Sequence, residues 1–183
     1  LGGKDVLPND IAAVFDNLNK PLPMDGFTLG IVDDVTFTSL PLRQQTLAVS
    51  HDGITACKFW GMGSDGTVGA NKSAIKIIGD KTPLYAQAYF SYDSKKSGGI
   101  TVSHLRFGDR PINSPYLIHR ADFISCSQQS YVERYDLLDG LKPGGTFLLN
   151  CSWSDAELEQ HLPVSFKRYL ARENIHFYTL NAV

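Results

Sequence analysis

Short apolar runs with the composition of β-strands alternate with segments of helical periodicity along most of the chain. The apolar runs are rich in β-branched and aromatic residues, and turn-forming residues bound them. Strands that alternate with helices are typical of an α/β fold, in which helices cover both faces of a mostly parallel sheet. We therefore predict a three-layer α/β domain. The predicted strands are residues 27–32, 54–60, 84–92, 100–107, 121–126, 146–150 and 176–180, and the predicted helices are residues 8–18, 67–79, 131–138 and 163–173.

Local signals refine this pattern. Residues 100–107 alternate apolar and polar side chains, which is typical of a half-exposed or antiparallel strand. The glycine-rich turn before them is short enough for a hairpin with residues 84–92, so the pattern allows a mixed sheet. Gly79 is expected to close the helix at residues 67–79. Ser154 and Glu157 have the spacing of a capping box and predict one more short helix.

The first 26 residues read as a separate segment. Residues 8–18 carry apolar side chains at helical spacing, with a proline in the first turn. The following residues 20–26 are polar and rich in proline, as in a stiff domain linker. We therefore expect residues 1–26 to be the tail of a preceding domain with its linker, and residues 27–183 to form the α/β domain.

The most informative stretch is a glycine-rich turn between a predicted strand and a predicted helix. Gly61, Gly63 and Gly66 have G-x-G-x-x-G spacing. A strand that turns sharply into a helix presents the free N–H groups and the positive dipole end of that helix, which attract phosphate. The turn is not a P-loop, because no Lys-Ser/Thr pair follows at the required spacing. The alternative is a turn that only packs the helix tightly on the sheet.

A second polar group follows the next predicted strand. Asp93, Lys95 and Lys96 lie at its carboxyl end, the edge at which α/β domains bind ligands. An acidic residue after the glycines could bind the ribose of a nicotinamide cofactor. The paired lysines favour a further anion, such as a ribose phosphate. The alternative is a solvated loop.

Composition excludes several function classes. The 183 residues are 43% apolar and carry a net charge of −2, which gives no reason to expect nucleic-acid or membrane binding. The three cysteines are far apart, so each is expected to act as a small apolar residue in a reducing cytoplasm. The sequence contains no metal or iron–sulfur ligand set. The histidines are expected to be structural or exposed, and Asp33-Asp34 to form a loop with Asx-turn chemistry.

Three long motifs, taken together, resemble the pyruvate:ferredoxin (flavodoxin) oxidoreductase family. They are GMGSDGTVGANK at residues 61–72, YDSKKSGG at residues 92–99 and VSHLRFG at residues 102–108. The resemblance implies the third domain of these large enzymes, equivalent to the gamma subunit of related 2-oxoacid oxidoreductases. It further implies a homodimeric parent enzyme that converts pyruvate to acetyl-CoA and carbon dioxide and passes electrons to ferredoxin or flavodoxin. The thiamine diphosphate and [4Fe-4S] clusters of the family would lie in other domains.

The resemblance also implies that this domain helps to bind coenzyme A. Backbone N–H groups of the glycine-rich turn would hold its diphosphate, and the paired lysines would neutralise phosphate charge. The domain would then position a substrate and perform no acid–base chemistry, and the isolated fragment would be inactive. A nicotinamide-binding oxidoreductase domain and a purely structural inter-domain module remain as alternatives. The residues expected at the ligand are Gly61, Gly63, Ser64, Asp65, Gly66, Thr67, Lys95 and Lys96.

Overall fold

The computed structural model describes residues 6–44, 47, 49, 52–92 and 98–182. The chain divides into two compact units. The first comprises Leu1–Ser50 with Ser114–Tyr116, and the second comprises His51–Asn113 with Leu117–Val183. The boundary predicted at residue 26 stays a prediction.

The described part of the first unit is built around α1 (Pro8–Leu18), which confirms the helix predicted there. Ala13 of α1 packs in a small buried cluster with Leu29 and Leu40. The Asn17 side chain clamps the segment that follows, since its amide donates to Met24 O at 2.9 Å and accepts from Met24 N at 3.0 Å. The helix is therefore fixed by a polar contact as well as by apolar packing.

The strand predicted at residues 27–32 is wrong. Within the described residues, this segment makes only an isolated bridge from Thr28 to Ser39. Gly30 has a φ of 80°, which breaks the extended conformation. Asp33 then accepts hydrogen bonds from the backbone of Val35 and Thr36, at 3.0 Å each, and turns the chain. These bonds confirm the Asx-turn expected at Asp33.

One sheet of six strands organises the described part of the second unit. In chain order its elements are β1 (Ile54–Met62), α2 (Thr67–Lys81), β2 (Tyr85–Tyr92), β3 (Ile100–Gly108), β4 (Ala121–Cys126), a 3₁₀ helix (Gln129–Glu133), β5 (Leu141–Asn150), α3 (Asp155–His161), α4 (Val164–Arg172) and β6 (His176–Leu180). The strand order is β2-β3-β1-β4-β5-β6. β3 is antiparallel to both β1 and β2, and the other neighbours are parallel. The predicted mixed, mostly parallel sheet is confirmed.

The main core lies on one face of this sheet, which we call the α4 face. Phe147 of β5 is fully buried there, and its ring lies 5.3 Å from that of Phe166 in α4. Leu158 of α3 and Trp60 of β1 pack in the same cluster. The two C-terminal helices thus form one outer layer.

The opposite face carries α2, and we call it the α2 face. Gly61 follows Trp60 in β1 and therefore faces the other way. A Cβ at Gly61 would lie 2.7 Å from Thr67 Cβ, at the start of α2. Further along the helix, Lys72 Nζ lies 5.4 Å from the centre of the Phe90 ring in β2. Helices on both faces confirm the three-layer architecture.

Two helix predictions are corrected by the structure. Residues 131–138 are not an α-helix: a 3₁₀ helix ends at Glu133, and turns carry the chain to β5. These turns bury both Leu137 and Leu138. In an α-helix, adjacent side chains point in directions about 100° apart, and the residues that share a face are three or four positions apart. α2 does not end at Gly79 but at Lys81, where Thr82 N donates to Ile78 O and closes the helix. The capping box at Ser154 is confirmed.

Candidate functional site

The glycine-rich turn joins β1 to α2, as the sequence predicts, and a second glycine pair braces it. Gly63 N donates to Gly99 O at 2.7 Å, and Gly98 N donates to Gly63 O at 3.4 Å. Gly66 precedes α2 with a φ of 86°, where only glycine is unstrained. Ser64 has a φ of 77°, a conformation that costs a non-glycine residue about 1–3 kcal/mol. Such stored strain is typical of functional turns.

Asp65 holds the turn together from inside. Its carboxylate accepts from Met62 N, Thr67 N and Ser127 Oγ, each at 2.8 Å. Partial burial raises the pKa of this carboxyl, but the hydrogen bonds from these donors together lower the pKa by more than burial raises it. The net pKa therefore lies below its ordinary value. The carboxylate is therefore ionised at neutral pH and occupies the first backbone donor of α2.

Two further backbone donors of α2 remain open. The N–H groups of Val68 and Gly69 lie in its first turn, where no carbonyl precedes them in the helix. No acceptor lies within hydrogen-bond distance of either group among the described residues. These two groups and the positive end of the helix dipole could hold an anion. The geometry thus provides a small anion site. The negative charge of Asp65 beside it would weaken the binding of an anion there.

Buried polar side chains without a partner occur both on α2 and on the strand β3 beneath it. Thr101 and Asn71 are each only 5% exposed, and Ser103 is fully buried. Thr101 Oγ1, Asn71 Nδ2 and Ser103 Oγ find no hydrogen-bond partner among the described residues. Thr101 Oγ1 would lie 3.0 Å from a Cβ at Gly61, so this group reaches the base of the turn. Unpaired buried polar groups are costly and indicate water or a ligand beneath the turn.

Sequence reasoning missed these residues. Thr101 and Ser103 alternate with apolar residues in β3, and such polar positions normally face water. Thr101 lies directly beside Gly61 because β3 pairs with β1. That register depends on the fold and not on local sequence.

The two lysines of the predicted site, together with Asp93, lie outside the described residues. Gly98, which ends the same connection between β2 and β3, is hydrogen-bonded to Gly63. Of the predicted site residues, the structure therefore describes Gly61, Gly63, Ser64, Asp65, Gly66 and Thr67 and groups them in one turn.

A row of buried basic side chains on the α4 face was also missed. Lys58, His104 and Arg106 are all at most 6% exposed. Lys58 Nζ donates to Asp139 O at 2.7 Å, and Arg106 Nη1 donates to Gln87 Oε1 at 3.2 Å. Burial lowers the pKa of Lys58, against the opposite effect of nearby carboxylates. Burial, followed by the neighbouring positive charges, lowers the pKa of His104 to about 4.

His104 is consequently neutral, and its role is structural. Its Nδ1 accepts a hydrogen bond from Ile118 N at 3.1 Å, which a protonated ring could not do. The expectation that this histidine is structural is confirmed.

The cysteines behave as core residues. Cys57, Cys126 and Cys151 are buried and form no disulfide. Burial raises the pKa of the Cys57 and Cys126 thiols to about 12. Neither is a thiolate nucleophile at neutral pH. In the ranges that the structure describes, no three His, Cys, Asp or Glu side chains converge on a metal site.

No helix in the described part of the chain is both long and apolar enough to cross a lipid bilayer.

Comparison with known proteins identifies close relatives. The family described as "Pyruvate ferredoxin/flavodoxin oxidoreductase" matches residues 56–183. The chain is 98% identical, over all 183 residues, to a pyruvate-flavodoxin oxidoreductase from Klebsiella pneumoniae, and covers 16% of that protein. It is 56% identical over the same residues to a pyruvate:ferredoxin oxidoreductase from Moorella thermoacetica, again covering 16%. The chain thus spans about a sixth of the length of these relatives.

Among solved structures, a similar one is pyruvate oxidoreductase subunit PORC from Thermotoga maritima. The TM-score is 0.49 at 15% sequence identity, over 60% of this chain and 57% of that one. A gamma subunit of a keto/oxoacid ferredoxin oxidoreductase from Geobacter sulfurreducens gives a TM-score of 0.47 at 20% identity, over 69% and 61%.

Proposed function

The chain belongs to the pyruvate ferredoxin/flavodoxin oxidoreductase family, and from this we propose that it is one domain of an enzyme that oxidises pyruvate. In that reaction pyruvate and coenzyme A give acetyl-CoA, carbon dioxide, a proton and two electrons, which ferredoxin or flavodoxin accepts. The observation that carries the proposal is the 98% identity over the entire chain. The chain is the third, gamma-type domain of a homodimeric parent, and its immediate partners are the other domains.

Iron–sulfur clusters of the parent do not fit the described residues of this domain. Such clusters need several thiolates around one site. Cys57 lies on the α2 face of β1 and pairs in register with Phe123 of β4, whereas Cys126 lies an odd number of residues beyond, on the α4 face. Their side chains therefore point to opposite sides of the sheet. The proposal assigns the clusters and thiamine diphosphate to other domains.

The role that we propose for this domain is to bind coenzyme A. The open N–H groups of Val68 and Gly69 lie at the start of α2, beside the exposed Ser64, where they could contact an anion at the end of β1. A diphosphate suits such donors, because anions bind the positive end of a helix. The glycines exclude side chains from the turn and allow the phosphates to approach the backbone.

Asp65 limits where that diphosphate sits. Its carboxylate already uses Thr67 N, so a phosphate bound at Val68 and Gly69 meets a negative charge on one side. Additional positive charge would offset this repulsion, and we assign that role to Lys95 and Lys96. The ligand would thus be held by the turn through its phosphates, with its thiol arm directed towards the other domains. The chain contributes positioning, and the reaction takes place elsewhere.

A structural role is the second candidate, because apolar side chains are exposed around α2 and β2. Ile77 is 59% exposed, and Tyr85 and Tyr89 are 50% and 56% exposed. Tyr85 and Tyr89 lie on the α4 face of the edge strand β2, whereas Ile77 lies on α2, on the other side of the sheet. Exposed apolar groups of this size are typical of surfaces that other domains cover.

Calorimetric titration with coenzyme A, dephospho-coenzyme A and NAD tests the proposal. We expect coenzyme A to bind, and the loss of its 3′-phosphate or of both lysines (Lys95→Ala with Lys96→Ala) to weaken binding by about 1 kcal/mol or more. Lys76→Ala is the matched control, since it removes an exposed lysine from α2. Preferential binding of NAD would favour a nicotinamide domain instead. Silence with all three ligands would favour the structural role.

A further inference from the structure

A second cleft, separate from the glycine-rich turn, opens on the α4 face. It lies between residues 132–138 and α4 and has a volume of about 660 Å³. The α-helix predicted over residues 131–138 is replaced by a 3₁₀ helix and turns, which leave this space beside α4. Its floor is formed by the buried side chains of Val132, Leu138 and Phe166. The volume is that of a small-molecule site.

Guanidinium groups dominate the charge of the cleft. Arg134, Arg168 and Arg172 line it. Arg172 Nε donates to Glu173 at 2.6 Å, but neither of the other two arginines makes an ion pair or side-chain hydrogen bond with the described residues. Arg168 and Arg172 are four residues apart in α4, so their like charges repel each other on one helix face. An anion in the cleft would relieve that repulsion.

The acidic residues of the cleft neutralise these arginines only in part. Glu133 Oε1 lies 3.6 Å from His161 Nδ1 and is directed to that ring. Asp136, the other carboxylate in the lining, also lies near Lys58, where it and Asp139 partly oppose the larger lowering of the Lys58 pKa by burial. The described lining thus carries three guanidinium groups against two carboxylates, a formal balance of one positive charge.

Tyrosine rings form the walls beside the arginines. Tyr135 stacks on Trp60 at 6.0 Å and meets Tyr131 edge-on at 5.1 Å, which fixes its ring while 36% of the residue stays exposed. Tyr169 donates from its hydroxyl to Leu141 O at 2.7 Å, so this ring is fixed as well. Fixed aromatic rings next to guanidinium groups suit a planar ring that carries phosphate.

We propose that this cleft binds a nucleoside phosphate, with its phosphates on Arg134 and Arg168 and its base against Tyr135. Guanidinium groups bind phosphate through two parallel hydrogen bonds, which an exposed lysine does not provide. The volume accommodates a nucleoside diphosphate. This site is independent of the glycine-rich turn and of the function proposed for it.

Equilibrium titration of the full 183-residue chain with ADP, inorganic phosphate and adenosine tests the proposal. We expect ADP to bind more tightly than either part alone. Arg168→Ala should weaken ADP binding about tenfold, and Arg168→Lys should weaken it less, because the charge is kept and the two-pronged contact is lost. Arg120→Ala, which removes an exposed arginine outside the cleft, should leave the affinity unchanged. Because Arg168 is exposed, its replacement should not unfold the protein.

Three results would overturn the proposal. They are equal ADP affinity in the Arg168→Ala and unaltered chains, phosphate binding as tight as ADP binding, and saturation by an acidic peptide without saturation by ADP. A separate Gly66→Ala variant distinguishes the two sites. ADP binding lost in that variant but kept in Arg168→Ala would place the nucleotide on the glycine-rich turn and contradict the cleft site.

Discussion

Replacing Gly61 by alanine tests whether the glycine-rich turn depends on close packing. A Cβ at this position would lie 2.7 Å from Thr67 Cβ, 2.8 Å from Thr67 Oγ1 and 3.0 Å from Thr101 Oγ1. Real Cβ atoms do not approach other carbons this closely, and the β-branched Thr67 cannot swing away as a long side chain could. The first turn of α2 must therefore move off the sheet.

The expected cost follows from overpacking. Inserting a methyl group into a packed site costs about 1–3 kcal/mol. Gly69→Ala is the matched control, because a Cβ there meets no described atom within 4 Å and the residue lies inside α2. Alanine is favoured over glycine in a helix by up to about 1 kcal/mol. The same chemical change should thus destabilise the protein at position 61 and not at position 69.

Urea denaturation followed by circular dichroism measures both free energies of unfolding. We expect the Gly61→Ala midpoint to fall and the Gly69→Ala midpoint to stay or rise, with similar slopes. If Gly61→Ala were as stable as the unaltered chain, the close contact between β1 and α2 would be refuted. Its affinity for coenzyme A should also decrease, because displacement of the first turn moves the Val68 and Gly69 donors.

Further predictions concern a carboxylate, a helix cap and two thiols. Asp65 has a lowered pKa in the folded chain, so the stability that it contributes is present above the unfolded pKa of about 4 and is lost as the pH falls through the folded pKa. Asp65→Asn should therefore reduce the acid sensitivity of the free energy of unfolding, measured in urea titrations between about pH 5 and pH 2. Ser154→Ala should cost about 1 kcal/mol in the same assay, because the capping box is lost. Cys57 and Cys126 should not react with a thiol reagent at pH 8 until urea unfolds the chain, and rapid reaction of the folded protein would contradict their raised pKa values.

Elements with a local signal were predictable from the sequence. The run into Gly61, the helix after Gly66 and the cap at Ser154 depend on neighbouring residues, and all three are found. The helix predicted over residues 131–138 is wrong because helical spacing of apolar residues does not require a helix. A 3₁₀ helix followed by turns buries the same apolar side chains in the core.

Long-range partners were not predictable. Asp65 is held by Ser127, 62 residues later. His104 accepts a hydrogen bond from Ile118, in a segment with no regular structure. No local sequence pattern predicts either contact. The hydrogen bonds that hold the glycine-rich turn and the burial of the basic side chains therefore depend on the folded structure.

The strand order also has a consequence for the folding kinetics. β2 and β3 can form a hairpin early, and β4, β5 and β6 follow one another along the chain. α2, β2 and β3 lie between β1 and β4 in the sequence, so pairing of β1 with β4 closes a long loop. One contact across this loop is the hydrogen bond from Ala56 N to Asp122, 66 residues later. Closing so large a loop is entropically costly before the new contacts compensate for it. We therefore expect docking of β4 on β1 to be the slow step that joins two early-formed halves.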